Sequence, residues 1–337
     1  MSKRILTTLV VLAVTTALAA CGGDEPGTAA DTATPADTEA ADGGEGSIVL
    51  GFSQVGAESG WRTANTQSIQ SAAEAAGIEL KFSDAQQKQE NQIRAIRSFI
   101  QQQVDVIAFS PVVESGWDTV LQEAKDAEIP VVLADRAVDS PDESLYVTFI
   151  GSDFVEEGRK AGQWVVEEFA DTDDTVNIVE LQGTTGSAPA IDRKEGFEEI
   201  IGAEDKFEVI ASQTGDFTRA KGKEVMQAFL QAHDDIDLLY AHNDDMALGA
   251  IQAIEEAGLE PGTDIKIVSV DGVRDAIAAL AEGKINYVVE CNPLFGDQLM
   301  DIVQDVAAGN ELPKRIAVEE SAFTQEEAVE ILPERQY

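Results

Sequence analysis

The chain contains few cysteines, histidines and basic residues, and each scarcity excludes a class of protein. Among 337 residues there are two Cys and two His, too few for a disulfide framework or a zinc site built from Cys and His. Only 23 Lys and Arg stand against 63 Asp and Glu, and the net charge of −40 excludes nucleic acid as a partner because phosphate is repelled. Beyond residue 20, no apolar run approaches the roughly 20 residues of a membrane helix. We therefore expect no metal ion and no cofactor.

The first 46 residues have the composition of an export signal followed by a spacer. Lys3 and Arg4 precede an uncharged apolar run that ends in Leu18-Ala19-Ala20-Cys21, which resembles a bacterial lipobox. Residues 1–20 are thus predicted to be a lipoprotein signal peptide, with Cys21 as the lipidated N-terminus. Residues 21–46 are almost wholly Gly, Ala, Thr, Asp, Glu and Pro, which predicts a flexible acidic tether. The protein is expected to be exported and anchored by lipid on the outer face of the cytoplasmic membrane.

From Ser47 onward, short β-branched runs alternate with amphipathic stretches of helical length. This alternation predicts parallel sheets covered by helices on both faces. About ten such runs are too many for one doubly wound sheet, so we expect an α/β protein of two doubly wound parallel-sheet lobes. The runs are Ile48–Phe52, Leu80–Phe82, Val104–Phe109, Val131–Ala134, Val147–Ile150, Val176–Leu181, Val209–Ser212, Leu238–Ala241, Ile265–Val270 and Ile285–Glu290.

Polar side chains follow these predicted strands at the place where open α/β sheets bind ligands. Both halves of the chain offer carboxylates, amides and arginines there, and each half adds an aromatic residue, Trp61 or Phe217. An aromatic face packs on the C–H side of a sugar ring, and planar polar groups satisfy its hydroxyls. Taken singly, these residues have structural explanations: Asn243 is a helix cap, and Asp271 is part of a turn. Their recurrence at successive strand ends favours a binding site for a neutral polyol.

Several segments resemble periplasmic sugar-binding proteins of the ribose- and galactose-binding type, over about Ile48 to beyond Asp301. The segments shared with that family are Val132–Arg136, Ile191–Phe197, Tyr240–Ala250 and Ser269–Gly272. The galactofuranose-binding branch is the nearer resemblance, through Phe52–Arg62, Gln86–Ile93 and Ser212–Arg219. Ribose binders usually carry two Phe where Trp61 and Arg62 stand, and an Arg there suits a ligand with additional exocyclic hydroxyls.

The resemblance implies the type I periplasmic binding protein fold, in which two lobes are joined by a three-crossing hinge. The N-terminal lobe would comprise 47–150 plus 292–317, and the C-terminal lobe 151–291 plus 318–337. The crossings would fall near Phe149–Asp153, Glu290–Pro293 and Ile316–Ser321. The implied function is that of a monomer, not an enzyme, which captures a monosaccharide such as galactofuranose between its lobes. It would deliver this sugar to the permease of an ABC importer.

The family's ligand-binding positions can be transferred to matching residues of this chain. Hydroxyl-binding positions match Asp135, Arg136, Arg193, Asn243 and Asp271, the stacking position matches Trp61, and the opposing aromatic matches Phe217. Further implied contacts are Ser53, Arg62, Ser110 and Glu290. The sequence departs from the family pattern at Glu290-Cys291-Asn292, where either Glu290 or Asn292 is left to face the ligand.

Three other functions compete with sugar import. A glycosidase would need an acid and a base that flank the sugar, such as Asp135 and Asp271, but we expect their Arg neighbours to keep both ionised. A sugar-responsive repressor would carry a DNA-binding head where this chain has a lipobox and a tether. A sensory lipoprotein that presents sugar to a membrane receptor remains open.

Overall fold

The computed structural model describes residues 47–337, which form one compact unit. The predicted signal peptide, the lipidation site Cys21 and the tether of residues 21–46 lie outside the described residues. Within the described part, none of the helices combines the length and the apolar character needed to cross a membrane.

Twelve strands and ten α-helices alternate along the described chain. The strands are β1 Val49–Gln54, β2 Glu79–Asp84, β3 Val106–Phe109, β4 Val131–Ala134, β5 Thr148–Gly151, β6 Val176–Gln182, β7 Phe207–Thr214, β8 Leu238–Ala241, β9 Lys266–Asp271, β10 Tyr287–Glu290, β11 Arg315–Ala317 and β12 Ala322–Phe323. The helices are α1 Gly60–Ala76, α2 Gln89–Gln101, α3 Asp118–Asp126, α4 Phe154–Glu168, α5 Ala188–Ile201, α6 Arg219–Ala232, α7 Asp244–Glu256, α8 Arg274–Ala281, α9 Gly296–Ala307 and α10 Gln325–Ile331.

The strands form two six-stranded sheets of matching order. The first sheet runs β11-β5-β4-β3-β1-β2 and is parallel throughout, with Leu50 paired to Leu80 on one side and to Val106 on the other. The second sheet runs β12-β10-β9-β8-β6-β7, and only β12 is antiparallel to its neighbour. The predicted fold of two parallel-sheet α/β lobes is therefore confirmed. The edge strands β11 and β12 were not predicted, because runs of three and two residues carry no readable period.

The chain passes between the two sheets three times. The first passage joins β5 to α4, the second joins β10 to α9, which packs on α1, and the third joins β11 to β12. The central strands β3 and β4 are buried along their whole length, as expected for sheets covered on both faces. This arrangement turns the carboxyl ends of β1, β3 and β4 toward those of β6, β8 and β9.

Candidate functional site

A small cavity lies between the strand ends of the two lobes, with about 290 Å³ of space between its lining residues. It is lined by Glu58, Ser59, Trp61, Arg62, Asp135, Arg136, Phe154, Pro189, Arg193, Phe217, Asn243, Asp271 and Cys291. Eight of the eleven ligand-binding residues predicted from the sequence therefore meet at this cavity.

Arg62 organises the wall of the first lobe. It lies in the first turn of α1, whose N-cap Ser59 accepts a hydrogen bond from the Arg62 backbone N–H. Its guanidinium donates to Asp135 Oδ2 at 2.6 Å and to Glu58 Oε1 at 3.1 Å. Burial lowers its pKa, but these carboxylates outweigh that effect and the pKa of Arg62 lies above its ordinary value. Asp135 and Glu58 are thus held at the cavity by one buried cation.

Arg136 offers donors that the protein itself does not use. The side chain is 3% exposed and its Nε has no hydrogen-bond partner. Burial and the nearby charge of Arg62 lower the pKa of Arg136 to about 10. On the same wall, Glu58 Oε2 is a buried acceptor without a donor. Since buried polar groups are nearly always paired, this donor and this acceptor point to a polar ligand that satisfies both.

Arg193 plays the corresponding part in the second lobe. It lies on α5, which packs so closely on α4 that a Cβ at Gly158 would come within 2.2 Å of the Arg193 carbonyl oxygen. This approach brings the carboxylate of Glu157 within 2.7 Å of Arg193 Nε. Arg193 Nη1 donates to the carbonyl of His242, and Nη2 lies 3.6 Å from Asp271 Oδ1. Burial lowers the pKa of Arg193, yet Glu157 raises it well above its ordinary value.

Two aromatic residues face the cavity from opposite lobes. The Trp61 indole Nε1 donates to the Cys291 carbonyl oxygen at 2.6 Å, which ties α1 of the first lobe to the segment after β10. Phe217 lies under the guanidinium of Arg136, 5.3 Å from the ring centroid to Cζ. The Phe217 ring is accommodated because residue 183 is glycine, where a Cβ would come within 1.9 Å of the ring.

Replacing Gly183 with Ala is therefore expected to displace the Phe217 ring and to weaken ligand binding by about fivefold or more, since overpacking costs typically 1–3 kcal/mol. Calorimetric titration of the variant would measure this loss. Gly60→Ala is the matched control at the same cavity, because a Cβ there meets its nearest atom at 3.4 Å, an ordinary contact. Equal affinity of the two variants would contradict the role given to Gly183.

Backbone strain accompanies three of the lining residues. Asp135, Phe217 and Asp271 have φ values of 68°, 60° and 128°, in a region that residues other than glycine rarely adopt. Such conformations cost on the order of 1–3 kcal/mol each and persist where the surroundings hold them. The Asp271 loop is held by Asp244, whose carboxylate accepts from the backbone N–H groups of Gly272 and Val273, both at 2.7 Å. These backbone conformations fix the direction in which the three side chains face the cavity.

The expected effect of the arginines on the two central carboxylates is opposed at Asp271. Burial raises the pKa of Asp271 well above its ordinary value; the attraction of Arg193 only opposes this rise, and the nearby Asp244 adds to it. Burial also raises the pKa of Asp244 to about 7.

Three predicted contacts are not at the cavity wall. Ser53 is fully buried, and Ser110 lies behind the wall, where its hydroxyl donates to Asp135 Oδ2 at 3.0 Å. Glu290 is directed elsewhere, because Arg335 Nη1 donates to its Oε1 at 2.6 Å and Ser321 donates its backbone N–H to Oε2 at 3.0 Å. At this departure from the family pattern the residue that lines the cavity is Cys291, neither Glu290 nor Asn292.

Sequence reasoning missed Glu58, Ser59, Phe154, Pro189 and Cys291 as lining residues and Glu157 as the partner of Arg193. Glu58 had one readable signal, since it precedes Trp61 and Arg62 in the loop after β1. Glu157 had none, since it occupies an ordinary helix position in α4.

The lobes touch directly around the cavity. The backbone N–H of Gly60 donates to Asp245 Oδ2 at 2.6 Å, and that of Glu114 donates to the Gly186 carbonyl at 2.9 Å. Together with the bond from Trp61 to Cys291, these contacts enclose the space between the lobes. The arrangement can surround a small neutral molecule with paired polar groups.

Among residues 47–337, one group of potential metal-binding side chains comes together, formed by Glu157, Cys291 and Glu320. We assign no metal ion to it, because the Arg193 guanidinium already pairs with Glu157 and would repel a cation there.

Comparison with known proteins gives concordant results. The family model of the periplasmic binding protein domain matches residues 50–311. The chain is 50% identical over 279 residues to the galactofuranose-binding protein YtfQ of Escherichia coli (strain K12), covering 82% of this chain and 87% of that protein.

Two solved structures are also similar. One, from Mycobacterium smegmatis in complex with β-D-fucofuranose, is 62% identical with a TM-score of 0.85 and covers 86% of this chain and 96% of that chain. The other is the binding protein of the arabinose ABC transporter from Shewanella sp. ANA-3, bound to α- and β-L-arabinofuranose. It is 51% identical with a TM-score of 0.82 and covers 86% of this chain and 96% of that chain.

Proposed function

The chain belongs to the periplasmic binding protein domain family, and from that premise we propose that it is the sugar-binding subunit of an ATP-driven importer. It captures a monosaccharide between its two lobes outside the cytoplasm and delivers it to a membrane permease. The resemblance to periplasmic sugar-binding proteins that the sequence predicts is confirmed. The nearer resemblance to the galactofuranose-binding branch is confirmed as well.

The sugars bound by the similar proteins have one ring in common. D-Fucofuranose is galactofuranose without its terminal hydroxyl, and L-arabinofuranose lacks the terminal carbon as well. We propose that this chain binds a furanose of the galacto configuration. Of the three sugars, galactofuranose is the one with both the terminal carbon and its hydroxyl. The small size of the cavity supports one monosaccharide as the ligand.

The observation that carries this proposal is the pair of unpartnered groups on the cavity wall, Arg136 Nε and Glu58 Oε2. A hydroxyl donates and accepts, so a sugar hydroxyl satisfies both groups, whereas an apolar ligand would leave them buried and unpaired. The rings of Trp61 and Phe217 supply the apolar faces on either side. We propose that Asp135, Arg193, Asn243 and Asp271 bind the remaining hydroxyls.

We propose for Arg62 a role other than the expected direct contact with the ligand. Four of its five N–H groups already bind protein acceptors, on Glu58, Gln54, Ser110 and Asp135. Arg62 therefore acts mainly by holding the two carboxylates, and Arg136 is the stronger donor to the sugar.

A glycosidase is disfavoured by the relatives, which are binding proteins. It is also disfavoured by the small cavity, which has little room for a leaving group beside the sugar. The raised pKa of Asp271 alone does not make a catalytic pair, because Asp135 is held by Arg62 through a bond of 2.6 Å.

We further propose that the protein is a monomer anchored by lipid at Cys21, and that its lobes comprise 47–150 plus 292–317 and 151–291 plus 318–337. The sequence Leu18-Ala19-Ala20-Cys21 supports the anchor, and the membership of each sheet supports the lobes. Mass spectrometry of the exported protein tests the anchor, since an N-terminus without lipid at Cys21 would contradict it.

Calorimetric titration with ring-locked sugars tests the ligand. We expect tight binding of 1,4-anhydrogalactitol, which keeps the furanose ring, and weak binding of 1,5-anhydrogalactitol, which keeps the pyranose ring. Free D-galactose, D-fucose and L-arabinose should bind, with D-ribose as the mismatched control. A preference for the pyranose analogue would refute the furanose assignment, and no binding by any of these sugars would refute the proposed function.

A further inference from the structure

The three segments that join the sheets contribute side chains to one cluster beside the sugar cavity. Ser152 lies in the first segment, Cys291 in the second and Glu320 in the third, and Glu157 of α4 faces them. One oxygen each of Glu157 and Glu320 and the Cys291 sulfur lie within 4.8 Å of one another. We call these four residues the hinge cluster.

In the hinge cluster, one buried acceptor lacks a hydrogen-bond donor. Glu320 Oε1 accepts from the Ser152 hydroxyl and, at 3.1 Å, from the backbone N–H of Asn292. Glu157 Oε2 accepts from Arg193 Nε at 2.7 Å, but Glu157 Oε1 is buried without a partner. A proton on Glu320 would supply the missing donor, because a protonated carboxyl donates where a carboxylate only accepts.

We propose that Glu320 is a positioning residue of the sugar site, whose carboxylic acid proton is donated to Glu157 and so holds Glu157 against Arg193 at the cavity wall. The inference rests on the proposed function, in which Arg193 binds the sugar. It assigns to the third segment of the hinge a role that neither the cavity lining nor the sequence indicates.

The electrostatics of the hinge cluster agree with this assignment. Burial raises the pKa of Glu320 to about 9, and the negative charge of Glu157 adds to that rise. Burial also raises the pKa of Glu157, while the charge and hydrogen bond of Arg193 oppose the increase. Two carboxyl groups this close do not both ionise readily. Burial raises the pKa of the Cys291 thiol well above its ordinary value, so this thiol carries no charge near neutral pH.

Charged groups face the hinge cluster from several elements. They are Arg193 on α5, Asp271 at the end of β9, and the more exposed Asp153 and Arg315 beside Ser152. Of these, Arg193 is the buried cation that binds Glu157 directly. A second negative charge on Glu320 would therefore compete for Arg193 and pull it from its place at the cavity.

The proposal sets the sign of a pH effect on sugar affinity. Opening the lobes exposes Glu320 to water, which lowers its pKa. The closed, sugar-bound form therefore binds the proton more tightly than the open form. Affinity should then be constant below the pKa of the open form, fall as the pH rises above it, and level off above about 9, the pKa of Glu320 in the closed form. One proton limits the fall to about tenfold per pH unit.

The test compares Glu320→Gln, Glu320→Ala and the exposed control Glu319→Gln in the purified exported protein, titrated with D-galactose and L-arabinose from pH 6 to 9. Glutamine keeps a donor toward Glu157 and an acceptor toward Ser152, so Glu320→Gln should lose the pH dependence and keep its pH 6 affinity up to pH 9, where the wild type binds more weakly. Glu320→Ala should bind at least tenfold more weakly, and Glu319→Gln should follow the wild-type profile throughout.

Infrared difference spectroscopy measures the proton in the sugar-bound protein, in which the lobes are closed. The spectrum of the wild type minus that of Glu320→Gln at pH 7 should contain the carbonyl stretch of a protonated carboxylic acid, because the other buried carboxyl groups contribute equally to both spectra. The inference fails if the difference spectrum lacks that band, or if Glu320→Gln keeps the wild-type pH slope or weakens binding as much as Glu320→Ala. Failure of the wild-type protein to bind either sugar at pH 7 would instead refute the proposed function.

Discussion

Replacing Arg193 with Ala should lower sugar affinity by roughly 30- to 5,000-fold, the largest effect that we expect from any single change at the cavity. Removing one partner of a buried, hydrogen-bonded charge pair costs about 2–5 kcal/mol, and every 1.4 kcal/mol is about tenfold in affinity. Arg193 is 3% exposed and contacts Glu157, the His242 carbonyl and Asp271 at once. Its loss would leave carboxyl groups and sugar hydroxyls buried without a donor.

Calorimetric titration of Arg193→Ala and Arg193→Lys would separate charge from geometry. Lysine keeps the positive charge, but it presents a point charge and cannot bridge Glu157 and Asp271 as the planar guanidinium does. We expect Arg193→Lys to recover part of the stability that Arg193→Ala loses and little of the affinity. Arg159→Ala is the matched control, since Arg159 forms a solvent-exposed pair with Glu199 on the same two helices. Wild-type affinity of Arg193→Ala would remove Arg193 from the site.

Much of the cavity is predictable because parallel strands end together. Asp135, Asn243 and Asp271 each follow a readable apolar run, and the rule that ligands bind at the carboxyl ends of strands places them together. Trp61 and Arg62 follow the same logic, in the first turn of the helix after β1. These positions depend on local patterns, which a sequence displays directly.

What could not be predicted depends on contacts between distant segments. Glu157 contacts Arg193 because Gly158 and Gly196 let α4 and α5 approach closely. The sequence around these two glycines does not indicate that the helices pack in this way. Glu290 was one of two residues expected to face the ligand. Its carboxylate instead accepts hydrogen bonds from Arg335 and Tyr337, which are 45 and 47 residues away in the sequence. Desolvation of Asp271 is likewise a property of the assembled cavity, and the sequence does not show that it opposes the effect of Arg193 on the pKa of this carboxyl group.

Replacing Arg62 with Met should produce the largest loss of stability, about 3–5 kcal/mol in the free energy of unfolding. The methionine fills much of the volume but leaves Glu58 and Asp135 buried side by side without their cation. Breaking a buried ion pair from one side is costly for this reason, whereas an exposed pair contributes about 0–1 kcal/mol. Arg97→Met is the matched control, because Arg97 and Glu123 form a bidentate pair whose side chains are 48% and 39% exposed.

Urea unfolding of both variants measures the difference, and adding Glu58→Gln to Arg62→Met tests its cause. If uncompensated charge is the cause, neutralising Glu58 should recover part of the lost stability, even though the double variant has one more substitution. If lost packing is the cause, the second substitution should recover nothing. A loss as small as that of Arg97→Met would mean that Arg136, 3.6 Å from Asp135 Oδ2 and 3.8 Å from Glu58 Oε1, neutralises both carboxylates alone. Arg62 would then have to contact the sugar directly to account for its place at the cavity.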